Sequence, residues 1–312
     1  MSKKSGPKKP SLNKAIPKRK VQCISREDGF TLSFFSMASL CEVLIDTDDK
    51  ALAIKMGDIA ANEAWRIEDK YSRYDKNSLC SKINADAGSS VEIDEETYQL
   101  FQFVQQCYDM SDGAFDITSG VLRKAWFFDG SDNVPSKNAV NALLGLVGWH
   151  HVEYSAAHIL LKQGMEIDFG GLGKEYAVDR TVLLLSEMAN VPVLVNYGGD
   201  IAASGNRKNN QPWQIGIDHP SFEKNSSPHV TLKNGAIATS GDANRFLLKD
   251  GHRYSHILNV KTGWPVETPP NSITVAAPKC IQAGFLATLA LLQGVDAEEF
   301  LSEQDILHWS IR

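Results

Sequence analysis

Ile167-Asp168-Phe169-Gly170-Gly171-Leu172-Gly173-Lys174-Glu175-Tyr176-Ala177-Val178-Asp179-Arg180 is the stretch on which the fold turns. The apolar run 158–161 and a turn at Gly164 lead into residues 165–169, whose pattern predicts a short strand. A glycine bend follows, and from Lys174 the pattern becomes helical through Ala177, Val178, Val182, Leu183 and Leu184, to about residue 190. Strand, glycines and helix together suit an anion. Residues without Cβ let the backbone come close, and the helix start offers unpaired N–H groups and a positive dipole end. Lys174 adds a cation there, and Asp168 stands where ribose hydroxyls or a metal would be met. A tight bend with glycines chosen for packing explains the same letters. The stretch has neither the G-x-G-x-x-G spacing of a dinucleotide fingerprint nor the G-K-[ST] of a phosphate loop.

Working outward, 312 residues can bury a sizeable core in one large domain or two closely joined ones. No apolar run approaches the roughly 18 residues that read as a membrane span, which predicts no transmembrane segment. Behind the N-terminal Met-Ser-Lys-Lys there is no hydrophobic segment, so no secretory signal is read and the expected location is cytoplasmic. Five cysteines, scattered and never in a C-x-x-C pair, argue for reduced thiols and against a disulfide frame or a zinc site. Residues 1–20 carry eight Lys/Arg and no acid, while the rest hold 24 basic and 38 acidic groups, a net of −14. Residues 1–25 read as a basic, disordered tail ahead of a single domain, 26–312. No aromatics interleave its lysines to stack on bases, so no nucleic-acid partner is expected.

Along the chain, residues 28–46 alternate well enough for two strands, followed by a long helix over about Lys50–Tyr71 and the polar loop 72–78. Further helices are predicted over Glu95–Met110, Lys137–Leu144, 280–293 and 297–303. Strands are predicted at 192–196, 213–217, 230–232, Ser272–Ala277 and 306–310, with a pair 236–242 and 254–259 closing around the hairpin 249–252. Strands and helices mix without strict alternation, so the class is α+β with a mainly antiparallel or mixed sheet.

Gly113…Asp116, Gly199-Asp200 and Gly241-Asp242 each read singly as turns. With Asp168 and Lys174 they suggest one acidic, glycine-lined cleft able to hold a nucleotide-like cofactor and a hard cation. His256 reads as a strand residue, and its residue type suits a general base near neutrality; a core histidine is the commoner outcome. Ser255 beside it makes no triad, because neighbouring strand residues point apart. Tyr74 and Phe115 offer flat rings for stacking or for packing. Thr288, inside an apolar helix, needs a partner: either a carbonyl of its own helix or a metal.

In order, Phe35-Ser36-Met37-Ala38, Ser72-Arg73-Tyr74-Asp75-Lys76-Asn77-Ser78, Gly113-Ala114-Phe115-Asp116, 168–179, 196–205, 238–242 and 254–265 resemble the motifs of the ApbE-like FAD:protein FMN transferases. The resemblance implies a T-fold-like α+β architecture of mixed sheets with packed helices in a single compact unit. It also implies an Mg²⁺-dependent enzyme that moves FMN from FAD to a Thr or Ser hydroxyl of an acceptor protein and releases AMP. Carried over by position, flavin contacts fall on Met37, Tyr74, Ala114, Phe115, Asp116, Asp168, Lys174 and Leu258. The metal falls to the Gly171 carbonyl and the Thr288 hydroxyl, and the base is His256. Two positions depart from the family pattern. Asn259 stands where an aspartate is frequent, and Gly284 stands where the family's A-D-A-[LW]-A-T supplies a metal-binding aspartate. Gly284 therefore leaves a second reading beside the enzyme: an FAD-binding relative with impaired or lost transfer, unless a carboxylate reaches Thr288 from elsewhere.

Overall fold

The computed structural model describes residues 19–216, 229–241 and 246–312. The central element is an eight-stranded sheet whose strands lie side by side in chain order: Gln22–Arg26, Gly29–Ser36, Ser39–Ile45, Val193–Tyr197, Asp200–Ser204, Asn234–Gly241, Ser272–Ala277 and His308–Ile311. Every described pairing is antiparallel, the first of the two arrangements left open by the sequence. Alternation along each strand explains why the sheet is covered twice. Val193, Val195 and Tyr197 join the main core under the helices, whereas Leu194, Ile201, Ala203 and Ile237 face a smaller core closed by the antiparallel pair Trp213–Gly216 and His229–Leu232. Each Val, Leu or Ile among them contributes about 1.5–3 kcal/mol on full burial, enough to hold the register against a one-residue slip.

Three helices, Lys50–Tyr71, Gly173–Met188 and Cys280–Leu292, cover the main face in the same order as the strand pairs beneath them. Between the third and fourth sheet strands the chain makes a long excursion. It carries the helices Leu79–Ala85, Glu95–Met110 and Lys137–Leu144 and a small sheet of Ser90–Glu92, His158–Leu160 and Glu153–Tyr154. Local chemistry starts these helices. Asp49, Ser78, Asp94 and Ser136 each accept a backbone N–H of the first turn, as N-caps do. All five cysteines are free, and four are buried. No helix among the described residues is long and apolar enough to cross a membrane.

The structure differs from the sequence expectations in several places. Residues 22–25, read as tail, belong to the edge strand Gln22–Arg26, which pairs with Gly29–Ser36. Residues 165–169 form no strand. The Asn84 side chain takes the place of a neighbouring strand, accepting from Ile167 N at 2.7 Å and donating to Ile167 O at 2.9 Å. A side-chain clamp of this kind leaves no periodic signal. The hairpin around residue 250 is formed by Phe246–Lys249 and His252–Ser255, because Asn234–Gly241 is drawn into the large sheet instead. Asp242 lies outside the described residues, as do residues 1–18 of the basic segment.

Candidate active site

The glycine bend opens the Gly173–Met188 helix, and here the capping rule fails: no side chain caps its start. Gly170 and Gly171 are exposed, and Lys174 reaches the buried Asp200 at the start of the fifth sheet strand. Burial works against the Lys174 ammonium, but the charges of Asp200 and Glu175 and the hydrogen bond to Asp200 together outweigh it and hold Lys174 above its ordinary pKa. An uncapped helix start, bare glycines and a fixed cation make a place for phosphate.

Asp168 is held from three sides. Its N–H donates to Ile117 O at 2.9 Å, one carboxylate oxygen accepts from Gly170 N at 2.9 Å, and the other pairs with Arg73. Arg73 in turn lies over the Tyr74 ring, its Cζ 4.9 Å from the centroid, and donates to the Tyr74 hydroxyl at 2.7 Å. Tyr74 is 78% exposed, an aromatic ring presented to solvent rather than packed. Arg73 thus joins two residues proposed separately from the sequence. It was not itself singled out, since its partner lies 95 positions away and nothing local marks the pair.

The other expected residues divide between open and consumed. Met37 lies in a two-residue hairpin loop with Ala38, both at positive φ (49° and 59°), and its N–H donates to Glu68 at 2.8 Å. Non-glycine residues in that region cost on the order of 1–3 kcal/mol each, so the Glu68 clamp matters. Phe115 is buried edge-to-face against Phe285 at 5.3 Å, the packing alternative of the two considered. Ala114 follows the tight turn at Asp112 and Gly113, its N–H bonded to Ser111 O at 3.0 Å. The Asp116 carboxylate accepts from Thr118 N and Oγ1 (2.8 and 2.6 Å) and from Trp149 N (2.9 Å), so its oxygens face inward as a cap. Burial pushes its pKa up. Leu258 and His256 lie on a separate aromatic platform. Leu258 packs with Trp126 and Trp264, and the His256 ring stands edge-on to Phe128 at 6.3 Å. His256 follows the strand His252–Ser255 in a bend, not on a strand as expected, and the Ser255 hydroxyl accepts from Ile257 N. The Asn259 amide oxygen accepts from Lys261 N at 2.9 Å and Thr262 N at 3.3 Å, the turn-holding work that an aspartate there would do.

Thr288 does not bond back to its own helix. Its hydroxyl meets that of Ser240, on the strand Asn234–Gly241, at 2.8 Å. One turn earlier on the same helix face is Gly284, and opposite it stands a residue overlooked in the sequence. A Cβ placed on Gly284 would lie 2.7 Å from Glu175 Cγ and 2.8 Å from Glu175 Oε1. Glu175 is buried, and its Oε2 accepts no hydrogen bond from any described residue. Burial, with the neighbouring Asp200 charge adding to it, pushes the Glu175 pKa up to about 8. The two helices are locked in this pose by Asp179, whose oxygens accept from Cys280 N at 2.8 Å and Ile281 N at 3.0 Å. Asp179 thus caps the second helix from the side of the first.

The family model of ApbE matches residues 37–308. The chain belongs to the ApbE family. An FAD:protein FMN transferase of Chlamydia pneumoniae is 31% identical over 255 residues, 78% of each chain. The crystal structure of the ApbE protein of Thermotoga maritima superposes with a TM-score of 0.81 at 29% identity, covering 93% of this chain and 94% of that one. The flavinyl transferase ApbE of Pseudomonas stutzeri superposes with a TM-score of 0.78 at 25% identity, covering 94% and 92%. The ApbE fold carries these residues as a single α+β unit, as the resemblance implied.

Proposed function

We propose that the chain is an FAD:protein FMN transferase that uses Mg²⁺ to move FMN from FAD to a Thr or Ser hydroxyl of an acceptor protein, with release of AMP. The observation that carries this reading is the uncapped, glycine-lined helix start beside Lys174, flanked by the Asp168–Arg73–Tyr74 chain. A pyrophosphate fits the first feature, and a flat ring with a ribityl chain of hydroxyls fits the second.

Within this reading, Lys174 and the helix start bind the pyrophosphate, Asp168 accepts from flavin or ribityl groups, and exposed Tyr74 covers the ring. Met37, Ala114, Phe115, Asp116 and Leu258 shape the rest of the flavin cavity. His256 takes the acceptor hydroxyl proton as the oxygen attacks the FMN phosphorus, and the P–O bond to the AMP phosphate breaks.

A hard cation fits the residues present, because a buried carboxylate oxygen on Glu175 has no donor and the Thr288 hydroxyl lies one turn from the glycine it fills. Among the described residues no three His, Cys, Asp or Glu side chains cluster as a metal site. Mg²⁺ binds through one or two carboxylates, waters and substrate phosphates. When bound it neutralises charge developing on the pyrophosphate. Gly171 O and Thr288 Oγ1 are the neutral oxygens that would hold it.

The test is AMP release from FAD by the purified chain, with and without Mg²⁺, beside His256→Asn. Release that depends on both Mg²⁺ and His256 supports the reading. Tight FAD binding with no AMP release under any metal would sink it and leave a flavin carrier.

A further inference from the structure

The position opposite Gly284 is filled from across the helix contact. A side chain on residue 284 and the Glu175 carboxylate exclude one another, since the first atom of such a side chain would sit inside van der Waals contact of Cγ, Cδ and Oε1 of Glu175. We propose that Glu175 is the metal-facing carboxylate of this chain, delivered from the Gly173–Met188 helix in place of one on the Cys280–Leu292 helix. The proposal rests on the transferase reading and names the acidic ligand of its site.

Four observations converge on it. Glu175 Oε2 is buried and accepts nothing from the described residues, a cost that a bound cation removes. Gly284 and Thr288 are four residues apart on one helix, hence on one face, so a carboxylate over Gly284 lies over the face that carries Thr288. Asp200, the other buried carboxylate nearby, is already paired with Lys174. Asp179, one turn after Glu175, grips the first N–H groups of the facing helix and fixes the relation of the two helices. The plainer explanation is that Glu175 merely sits in the first turn of its own helix, where a negative charge is favourable. That explanation needs no glycine at 284 and leaves Oε2 without a partner.

The deciding experiment uses the full chain and titrates Mn²⁺ into it with FAD present, following free Mn²⁺ by electron paramagnetic resonance. FAD binding is measured separately, without metal, by flavin fluorescence. Glu175→Gln is expected to weaken Mn²⁺ about tenfold or more and to keep metal-free FAD binding. The exchanged pair, Glu175→Gly with Gly284→Asp, is expected to recover Mn²⁺ affinity to within a few-fold. Unchanged Mn²⁺ affinity in Glu175→Gln overturns the assignment, as does FAD binding without Mn²⁺ binding in the natural chain. Should Glu175→Gln not fold, the exchanged pair decides: a folded pair that binds FAD but not Mn²⁺ overturns the proposal, and recovery supports it. A natural chain that binds no FAD sinks the transferase reading itself, an outcome distinct from the others.

Discussion

Two glutamates meet the same helix at consecutive residues and live in opposite ways. Glu96 accepts from Arg66, from Lys70 at 2.5 Å and from the Tyr176 hydroxyl at 2.8 Å. Burial works against its charge, yet these donors outweigh burial and hold its pKa down at about 2. Glu175, the neighbour of Tyr176, is buried with one oxygen unpartnered, and its pKa rises to about 8. The first carboxylate is satisfied by the protein and serves the fold. The second is left open, which proteins tolerate at sites that expect a charged ligand. Both need tertiary structure to be told apart, since each is simply a Glu on or near an amphipathic helix.

The comparison can be broken from the functional side first. His256→Ala is expected to lower AMP release by about 10²–10⁴-fold while FAD fluorescence quenching persists. Loss of FAD binding instead would mean that His256 holds the flavin and is not the base. Next in size, Glu96→Ala removes one of the two carboxylates that Arg66 and Lys70 each hold, Lys70 keeping Asp94 at 2.6 Å, and is expected to cost about 1–3 kcal/mol in urea denaturation. Glu63 also pairs with Arg66, at 2.8 Å, and keeps the loss below that of a fully buried pair. Gly284→Ala, which drives a methyl into Glu175, should cost a similar ~1–3 kcal/mol, and Glu175→Gly in the same chain should restore most of it. Absence of that rescue would mean the two positions do not compete.

Acid sharpens the same contrast. The Glu96 pKa is depressed, so its contribution is complete above the unfolded value near 4.5 and is lost as pH falls toward about 2. Thermal unfolding across that window should show a slope that Glu96→Gln flattens. The smallest effect on stability is expected at Tyr74→Ala, within about 0.5 kcal/mol because the ring is exposed. FAD affinity should nevertheless fall roughly tenfold, reflecting about 1.4 kcal/mol of lost ring contact. An unchanged FAD affinity would mean Tyr74 does not cover the flavin.

Much of the molecule is legible in its sequence. Apolar periodicity marks Lys50–Tyr71 and Glu95–Met110, and these helices and Lys137–Leu144 have the expected bounds. The glycine bend before Lys174 was read as a helix start, and the helix begins one residue earlier, at Gly173. What failed to show depends on partners far along the chain. Residues 165–169 read as a strand from their apolar residues Met165, Ile167 and Phe169, but the Asn84 side chain, not a neighbouring strand, bonds both backbone groups of Ile167. Thr288 shows as an odd polar residue in an apolar helix, and only the sheet reveals Ser240 as its partner.

The sequence by itself determined the family, the α+β class and most helix positions, because these rest on local spacing and the order of short motifs. It also showed what was missing: an acid at 284. Only the tertiary structure decided what stands there, because a helix–helix contact brings Glu175 across a separation of 109 residues, where spacing along the chain carries no information. Burial, not residue type, then separates a glutamate that holds the fold from one left open for a cation.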